Sequence, residues 1–166
     1  ILLHASMQFV EGDVTHWFFT LTDGRAAFSC RSHASDNPLW LAWGTAEYVR
    51  ATGDHTILDE MAPYLVSEFP FAPLPKNKQG WGHLYHRTTR GDTLYKHCMK
   101  SIDLVIKQRT GKNGLPLMGV GDWNDGLDEI GSEGHGESVW LGFFLYYILR
   151  EMVDIIGQKE GEVKKA

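Results

Sequence analysis

The sequence is poor in cysteine. Cys30 and Cys98 are the only two among 166 residues, and they lie far apart along the chain. Such sparse cysteine favours two buried thiols in a reducing compartment over a disulfide or a metal-binding pair. We therefore expect a cytoplasmic protein.

Long apolar runs are also missing. The run from Leu141 to Leu149 falls short of the roughly 18 to 20 residues that a membrane-spanning helix needs, and charged residues follow it at Arg150 and Glu151. The first residues lack the basic segment and the cleavage site of a secretory signal. They begin without methionine and in mid-pattern, as in a piece of a longer protein. No membrane contact is expected from this segment.

A basic surface for nucleic acid is absent as well. The formal net charge is −5, and no cluster of lysine and arginine compensates for it, which argues against a nucleic-acid partner. The sequence contains no phosphate loop, dinucleotide fingerprint or G-x-S-x-G turn, which argues against the enzyme classes that depend on them. With 43% hydrophobic and 22% charged residues, the composition is that of a globular domain.

Helical patterns dominate what is present. A typical helix start occurs at Asp36-Asn37-Pro38, where a capping residue precedes a proline in the first turn. The spacing of apolar residues predicts helices over 38–52, 57–65, 92–109 and 137–156. Between them lie long loops over 11–37, 69–91 and 110–136, a short β-like run at 17–21, and a polar tail at 158–166. The sequence therefore predicts an all-α fold, in which long active-site loops join antiparallel helices.

The short predicted helix 57–65 decides where the two acidic loops lie. If it only leads into the helix 92–109, the loops 11–37 and 110–136 meet at the same end of the bundle. If it makes a separate crossing, they lie at opposite ends. We favour the first arrangement because 57–65 spans only about two and a half helical turns.

Residues 119–140 concentrate the candidate chemistry. They contain six acidic residues, six glycines and Trp123. A carboxylic acid that protonates a glycosidic oxygen must stay protonated near neutral pH, which requires an apolar wall or a neighbouring carboxylate. Beside Asp125, Trp123 supplies the wall and Asp122 supplies the carboxylate. The alternative is that these acids cap helices or solvate the loop.

A calcium-binding loop is a weaker interpretation of the same stretch. Asp122, Asn124 and Glu133 stand at three EF-hand ligand positions. However, Gly126 and Leu127 stand where that pattern requires a ligand and a glycine. The histidines of the chain also lack partners at a zinc-binding spacing. We therefore expect no metal site.

A second polar group precedes the helix that starts at Pro38. It consists of Arg31, His33, Asp36 and Asn37. Arginine pairs in a bidentate manner with phosphate or carboxylate, and the amino terminus of a helix attracts anions. The alternative is structural, with Asp36 as a helix cap and Arg31 on the surface.

Several segments resemble one family of carbohydrate-active enzymes. GVGDWNDGLDEIG, followed by GHGESVWLGFFL, resembles the signature of the inverting disaccharide phosphorylases of glycoside hydrolase family 94. Four further segments look like family segments: QFVEGDVTHW, CRSHASDNPLWLAWGTAEYVRATGD, ILDEMAPYL and TLYKHCMKSIDL. The family includes phosphorylases of cellobiose, chitobiose, laminaribiose and 1,2-β-oligoglucans, and the phosphorylase-like part of cyclic β-1,2-glucan synthases.

The resemblance implies a fold and a general acid. Residues 1–157 would form about half of an (α/α)6-barrel catalytic domain. In the family the second Asp of D-W-N-D is the general acid, which is Asp125 here. The adjacent tryptophan lines the sugar subsite, which is Trp123 here. Asp122, on its other side, is expected to position the acid and to belong to the substrate-binding residues.

It also implies a sugar-binding segment. The family segment R-T-R-x-S-D-D matches Arg31 to Asn37, so that Arg31 and Asp36 are expected to bind the sugar. His33 replaces an arginine of that segment. Asn37 replaces its second Asp, and therefore keeps a hydrogen-bond acceptor but loses the charge.

The implied reaction is the inverting phosphorolysis of a β-linked gluco-oligosaccharide or disaccharide to an α-sugar 1-phosphate. Inorganic phosphate is the nucleophile, so that a single carboxylic acid suffices, whereas an inverting hydrolase needs a second carboxylate to activate water. No metal or organic cofactor is implied. The alternatives are a non-catalytic carbohydrate-binding or scaffold piece, and an inverting glycoside hydrolase. Because half a barrel leaves apolar helix faces unpaired, we expect a homodimer or an association with the remainder of the barrel.

Overall fold

The computed structural model describes residues 1–20, 26–32, 34–67 and 83–163. The helices are α1 (Leu2–Ala5), α2 (Asn37–Thr52), α3 (Leu94–Gln108) and α4 (Val139–Val163). The strands are β1 (Trp17–Thr20), β2 (Ala26–Cys30), β3 (Met61–Val66) and β4 (His83–Thr93). Short 3-10 helices occur at Thr56–Asp59 and Asp125–Leu127.

The four strands form one antiparallel sheet in the order β1-β2-β4-β3. Its register places Trp17 opposite Cys30 and Met61 opposite Thr93. The sheet shows that the prediction of an all-α fold is wrong, and with it the prediction of half an (α/α)6 barrel. The chain has a mixed α/β fold.

The two segments that form β3 and β4 were predicted as a helix and a loop. Each of them contains a proline or a glycine within the sheet. Pro63 falls within the predicted helix 57–65, but it lies in β3, an edge strand, where the missing N–H costs least. Gly91 suggested a loop, but it lies in β4 against the backbone of β3. A Cβ added at Gly91 would stand 1.8 Å from the carbonyl oxygen of Ala62, so this close pairing requires glycine. Residues 69–82 of the predicted loop lie outside the described residues.

The predicted run at 17–21 is a strand over its described residues, and two of the predicted helices keep nearly their predicted bounds. α2 has Pro38 in its first turn and ends at Gly53, whose φ of 71° is a left-handed conformation that favours glycine. α3 begins after Thr93, whose side chain accepts a hydrogen bond from the N–H of Lys96.

α4 runs beyond its predicted end at Ile156. It continues to Val163, so residues 158–163 of the predicted polar tail are helical. Residues 164–166 lie outside the described part of the chain. The division of the chain into residues 1–157 and a separate tail stays a prediction.

The main core lies where α2, α3 and α4 pack together. Its fully buried side chains include Leu39, Leu41, Leu94, Leu141 and Ile148. Each such side chain contributes about 1.5–3 kcal/mol through its removal from water. This packing sets the distance between the amino-terminal ends of α2 and α4, where the candidate site lies.

A smaller cluster joins the sheet to the amino-terminal segment. It consists of Met7, Phe9, Leu65 and Tyr85. The N–H of Leu65 donates to the carbonyl of Gln8 at 2.7 Å, which places the amino-terminal segment along β3. The acidic residues that follow this segment are thereby held beside the sheet.

A buried histidine makes the fold sensitive to acid. His97 is fully buried, its Nε2 donates to the carbonyl of Ala62 at 3.0 Å, and its Nδ1 has no hydrogen-bond partner among the described residues. Burial lowers the pKa of His97. The unfolded chain therefore binds a proton that the folded chain does not bind. We expect the stabilising contribution of neutral His97 to be fully present above pH about 6.5. Below that pH, the free energy of unfolding is expected to fall.

Denaturant unfolding at a series of pH values measures this loss. His97→Gln preserves a donor for Ala62 and is expected to flatten the pH dependence. The comparison belongs in a His4→Gln background, because burial also lowers the pKa of His4. An unchanged slope in the His97→Gln variant would contradict the assignment.

Candidate active site

The two loops that hold the predicted site residues meet in the structure. Ala34 and Gly119 form an isolated antiparallel β-bridge. The backbone N–H of Ser35 donates to the carbonyl of Gly121 at 2.9 Å, and its hydroxyl donates to the same oxygen at 3.1 Å. The loops therefore lie together, as we favoured, although the predicted helix 57–65 is a 3-10 turn followed by β3.

Asp122 is buried at the base of this junction. Its side chain is 3% exposed, and its Oδ2 accepts a hydrogen bond from the hydroxyl of Ser138 at 2.7 Å. The same hydroxyl accepts from the N–H of Leu141 at 3.1 Å. Ser138 therefore caps the first turn of α4 and holds Asp122 at the same time. The carboxylate of Asp122 fixes the loop to the helix.

Asp125 begins the 3-10 helix next to this anchored residue. The side chain of Asn124 accepts from the N–H of Gly126 at 3.0 Å and so closes the turn. The structure describes the backbone of Asp125 at this turn, and its side chain lies outside the described part. Trp123 is 57% exposed, so that its ring is open to a ligand.

Asp36 is the other buried carboxyl group at the junction. It is 5% exposed and accepts a hydrogen bond from the Nε1 of Trp40 at 2.9 Å. It stands at the N-cap position of α2, as the structural alternative expected, but its side chain makes no cap hydrogen bond. Burial raises the pKa of Asp36, and the negative charge of Asp122 raises it further, against the opposing effects of the Trp40 hydrogen bond and of His16. The two carboxyl groups thus interact electrostatically.

Arg31 is held by acidic side chains rather than lying on the surface. It is 4% exposed, and its guanidinium donates two hydrogen bonds of 2.6 Å to the carboxylate of Asp13. A third donor reaches Glu11 at 3.0 Å, and the guanidinium carbon lies 3.9 Å from the centre of the Phe9 ring. Burial works to lower the pKa of Arg31, but the hydrogen bonds and charges of Asp13 and Glu11 outweigh it and raise the pKa.

Asn37 lies at the start of α2 beside a small polar cluster. Its Nδ2 donates to the hydroxyl of Ser32 at 3.3 Å, and the Nδ1 of His16 lies 2.9 Å from the same oxygen. His33 lies outside the described residues. The structure therefore brings Asn37 and Asp36 to the loop junction, while it places Arg31 in an ion pair beside the sheet.

Aromatic rings extend from the junction along α4 and α2. The rings of Trp123 and Trp140 are 6.0 Å apart and tilted by 50°. Trp140 stacks on Phe144 at 5.4 Å, and Phe144 contacts Trp40 at 4.6 Å. Because Trp40 also binds Asp36, the ring series joins both loops of the site.

Glu137 holds the base of the acidic loop. Its carboxylate accepts three hydrogen bonds of 3.1 Å, two from Asn113 and one from the N–H of Leu115. The loop also closes on itself, since a Cβ added at Gly131 would stand 2.6 Å from the carbonyl oxygen of Gly119. The glycines here permit close backbone contact. The loop is therefore a packed structure whose residues have defined positions.

A comparison with known protein families points to the region that contains the acidic loop. A sequence model of the glycosyl hydrolase 94 superfamily catalytic domain matches residues 83–166, which include the whole acidic loop and α4. This chain belongs to the glycosyl hydrolase 94 superfamily.

The similar proteins include a glucan synthase and phosphorylases. The cyclic beta-(1,2)-glucan synthase NdvB of Rhizobium meliloti is 41% identical over 153 residues, which is 90% of this chain but 5% of that protein. The solabiose phosphorylase of Paenibacillus borealis is 32% identical over 121 residues, which is 73% of this chain and 13% of that protein. The N,N'-diacetylchitobiose phosphorylase of Vibrio furnissii is 24% identical over 142 residues, which is 85% of this chain and 14% of that protein. The chain thus spans a small part of each of these relatives.

Among the described residues, no three side chains of histidine, cysteine, aspartate or glutamate come together in a way that could hold a metal ion. In the same part of the chain, none of the helices is both long and apolar enough to span a bilayer. The cytoplasmic location, the absence of a cofactor, and the absence of a nucleic-acid partner stay predictions.

Several residues of the candidate site have no assigned role in the sequence analysis. The sequence places Ser138 at the start of a helix, Trp140 at the end of the acidic loop, and Asp13 in a segment similar to the family. A signal existed for Ser138, because serine before an apolar run is a typical helix cap. No local signal connects Asp13 with Arg31 or Trp40 with Asp36, since both contacts depend on the folded chain.

The bond between Ser138 and Asp122 gives a first test of how this loop is held. Ser138→Ala is expected to lower the free energy of unfolding by about 1–3 kcal/mol, because it removes the cap of α4 and the donor to a buried carboxylate. Thermal or denaturant unfolding measures the loss. Ser132→Ala is the matched control, since its exposed hydroxyl only donates to the nearby carbonyl of Glu129. Equal stabilities of the two variants would contradict this role.

Proposed function

We propose that this chain carries the general acid and part of the sugar site of an inverting glycoside phosphorylase. The observation that supports it most strongly is the backbone pairing of Ser35 with Gly121, which joins the D-W-N-D loop to the loop that contains Asp36. Membership of the superfamily and the printed activities of the phosphorylase relatives support the same reaction class. The proposed substrate is a β-linked gluco-oligosaccharide, and the proposed co-substrate is inorganic phosphate.

The reaction breaks one bond and forms another at the anomeric carbon. Asp125 gives its proton to the glycosidic oxygen as the bond from that oxygen to the anomeric carbon breaks. An oxygen of inorganic phosphate attacks the same carbon from the opposite face. The products are an α-sugar 1-phosphate and a sugar with a free hydroxyl group. Phosphate is already anionic, so no second carboxylate is needed to activate it.

The neighbouring residues supply binding and position. Trp123 offers an exposed ring on which a sugar can stack, and Asp36 offers a carboxyl group for sugar hydroxyls. Asp122 and Ser138 fix the turn in which Asp125 stands. Asn37 lies next to Asp36 at the start of α2, where it can accept one more hydroxyl. Because Arg31 is paired with Asp13, we propose that it stabilises the loop that contains Asp36. This role is in addition to its proposed binding of substrate.

The test is product analysis of the 166-residue chain with β-1,2-linked and β-1,4-linked glucan oligosaccharides, with and without phosphate. We expect sugar 1-phosphate only when phosphate is present. Free glucose without phosphate would instead identify an inverting hydrolase. Oligosaccharide binding without any product would identify a non-catalytic carbohydrate-binding piece.

A further inference from the structure

Beyond Trp123, the start of α4 presents a second exposed tryptophan that no part of the proposed reaction uses. Trp140 is 36% exposed and stands in the first turn of α4, which runs Val139–Val163. Its ring lies 6.0 Å from that of Trp123, at a tilt of 50°. Where Trp123 lines the sugar position at the bond that breaks, a second ring at this distance can contact a further unit of the same chain.

The packing behind Trp140 fixes the orientation of its ring. Phe144, one turn further along α4, stacks on it at 5.4 Å with an interplanar angle of 27°. Trp40 of α2 contacts Phe144 from the other side at 4.6 Å. A ring supported in this way loses little conformational freedom on binding, which favours affinity.

Polar groups tie this platform to the candidate site. The Nε1 of Trp40 donates to Asp36 at 2.9 Å, and Ser138, two residues before Trp140, donates to Asp122 at 2.7 Å. Both buried carboxyl groups are thus connected to the ring series. An exposed apolar strip for protein contact would need no such continuity with a polar site.

We propose that Trp140 is a second sugar platform, so that the site takes a β-glucan oligosaccharide longer than a disaccharide along the start of α4. This inference rests on the proposed function, which supplies the first sugar position at Trp123. The occupant is a carbohydrate chain, and a second copy of the protein on the same rings is the competing outcome.

The experiment compares the affinity of the 166-residue chain for a linear β-glucan tetrasaccharide and for the matching disaccharide by calorimetry. We expect the tetrasaccharide to bind about tenfold more tightly, which corresponds to about 1.4 kcal/mol of additional stacking. Trp140→Ala is expected to remove this advantage, so that the tetrasaccharide and the disaccharide bind with similar affinity. Trp140→Phe, which keeps a ring on Phe144, is expected to retain part of it.

The matched control is Phe143→Ala, because Phe143 is 71% exposed on the same helix and lies outside the ring contacts described above. It is expected to keep the full preference for the tetrasaccharide. Equal tetrasaccharide affinity in the wild type and in Trp140→Ala would overturn the proposal. So would equal losses in Trp140→Ala and Phe143→Ala, or a change from dimer to monomer in Trp140→Ala with unchanged sugar affinity.

Failure of this inference can be separated from failure of the proposed function. Binding is measured without phosphate and needs no proton transfer, so it does not depend on turnover. Binding that prefers the tetrasaccharide, together with no sugar 1-phosphate release, would overturn the phosphorylase and leave the platform. Phosphorolysis with equal affinity for both lengths would overturn the platform and leave the phosphorylase.

Discussion

Asp13→Ala is expected to lower the free energy of unfolding by about 3–5 kcal/mol, because it leaves the buried charge of Arg31 without its main partner. The two side chains are 4% and 3% exposed, and two hydrogen bonds of 2.6 Å join them. Water therefore cannot replace the lost carboxylate. Denaturant unfolding at neutral pH measures the loss.

Two further variants distinguish the contribution of the buried Asp13–Arg31 pair from that of Glu11. Glu11→Ala removes a carboxylate that is 33% exposed, and the expected loss is about 0–1 kcal/mol. The double variant Asp13→Ala with Arg31→Met removes the buried guanidinium charge as well, and it is expected to recover part of the stability that Asp13→Ala loses. A loss below about 1 kcal/mol in Asp13→Ala would show that Arg31 finds another partner or solvent.

Asp125→Asn is expected to reduce phosphorolysis by a factor of about 10²–10⁴, the usual contribution of a general acid. Asparagine has nearly the same size but cannot give a proton to the glycosidic oxygen. Binding of the oligosaccharide is expected to survive, because Trp123 and Asp36 remain. The measurement is the initial rate of sugar 1-phosphate release at saturating substrate and phosphate.

The matched control for this variant is Asp128→Asn. Asp128 is exposed and follows the same 3-10 helix, so its replacement makes the same carboxyl-to-amide change in the same loop. It is expected to keep nearly normal turnover. Similar rates in the two variants would remove Asp125 from the mechanism.

Local sequence patterns predicted two helices of the fold well, for a physical reason. α2 and α3 are specified by residues within a few positions of one another, such as Pro38 at one start and Gly53 at one end. The sheet depends on contacts between distant parts of the chain, such as Met61 with Thr93. Strand preference is set largely by such neighbours, and therefore periodicity alone assigned β3 to a helix and β4 to a loop.

The candidate site was likewise predictable only in part. The D-W-N-D motif and the segment before α2 pointed to Asp122, Trp123, Asp36 and Asn37, and the structure brings these two regions together. The role of each residue in binding or catalysis stays a prediction. What each carboxyl group contacts was not visible in the sequence, since Asp122 binds Ser138 and Asp36 binds Trp40 through the fold.

The sequence by itself determined the family, the acidic loop and the residue types available for chemistry. These follow from the order of residues along a short stretch, as in the loop 119–131. The tertiary structure decided the mixed α/β architecture, the junction of Ser35 with Gly121, and the pairing of Arg31 with Asp13. Burial and charge pairing arise only when distant segments exclude water together, and so they could not be predicted from local order.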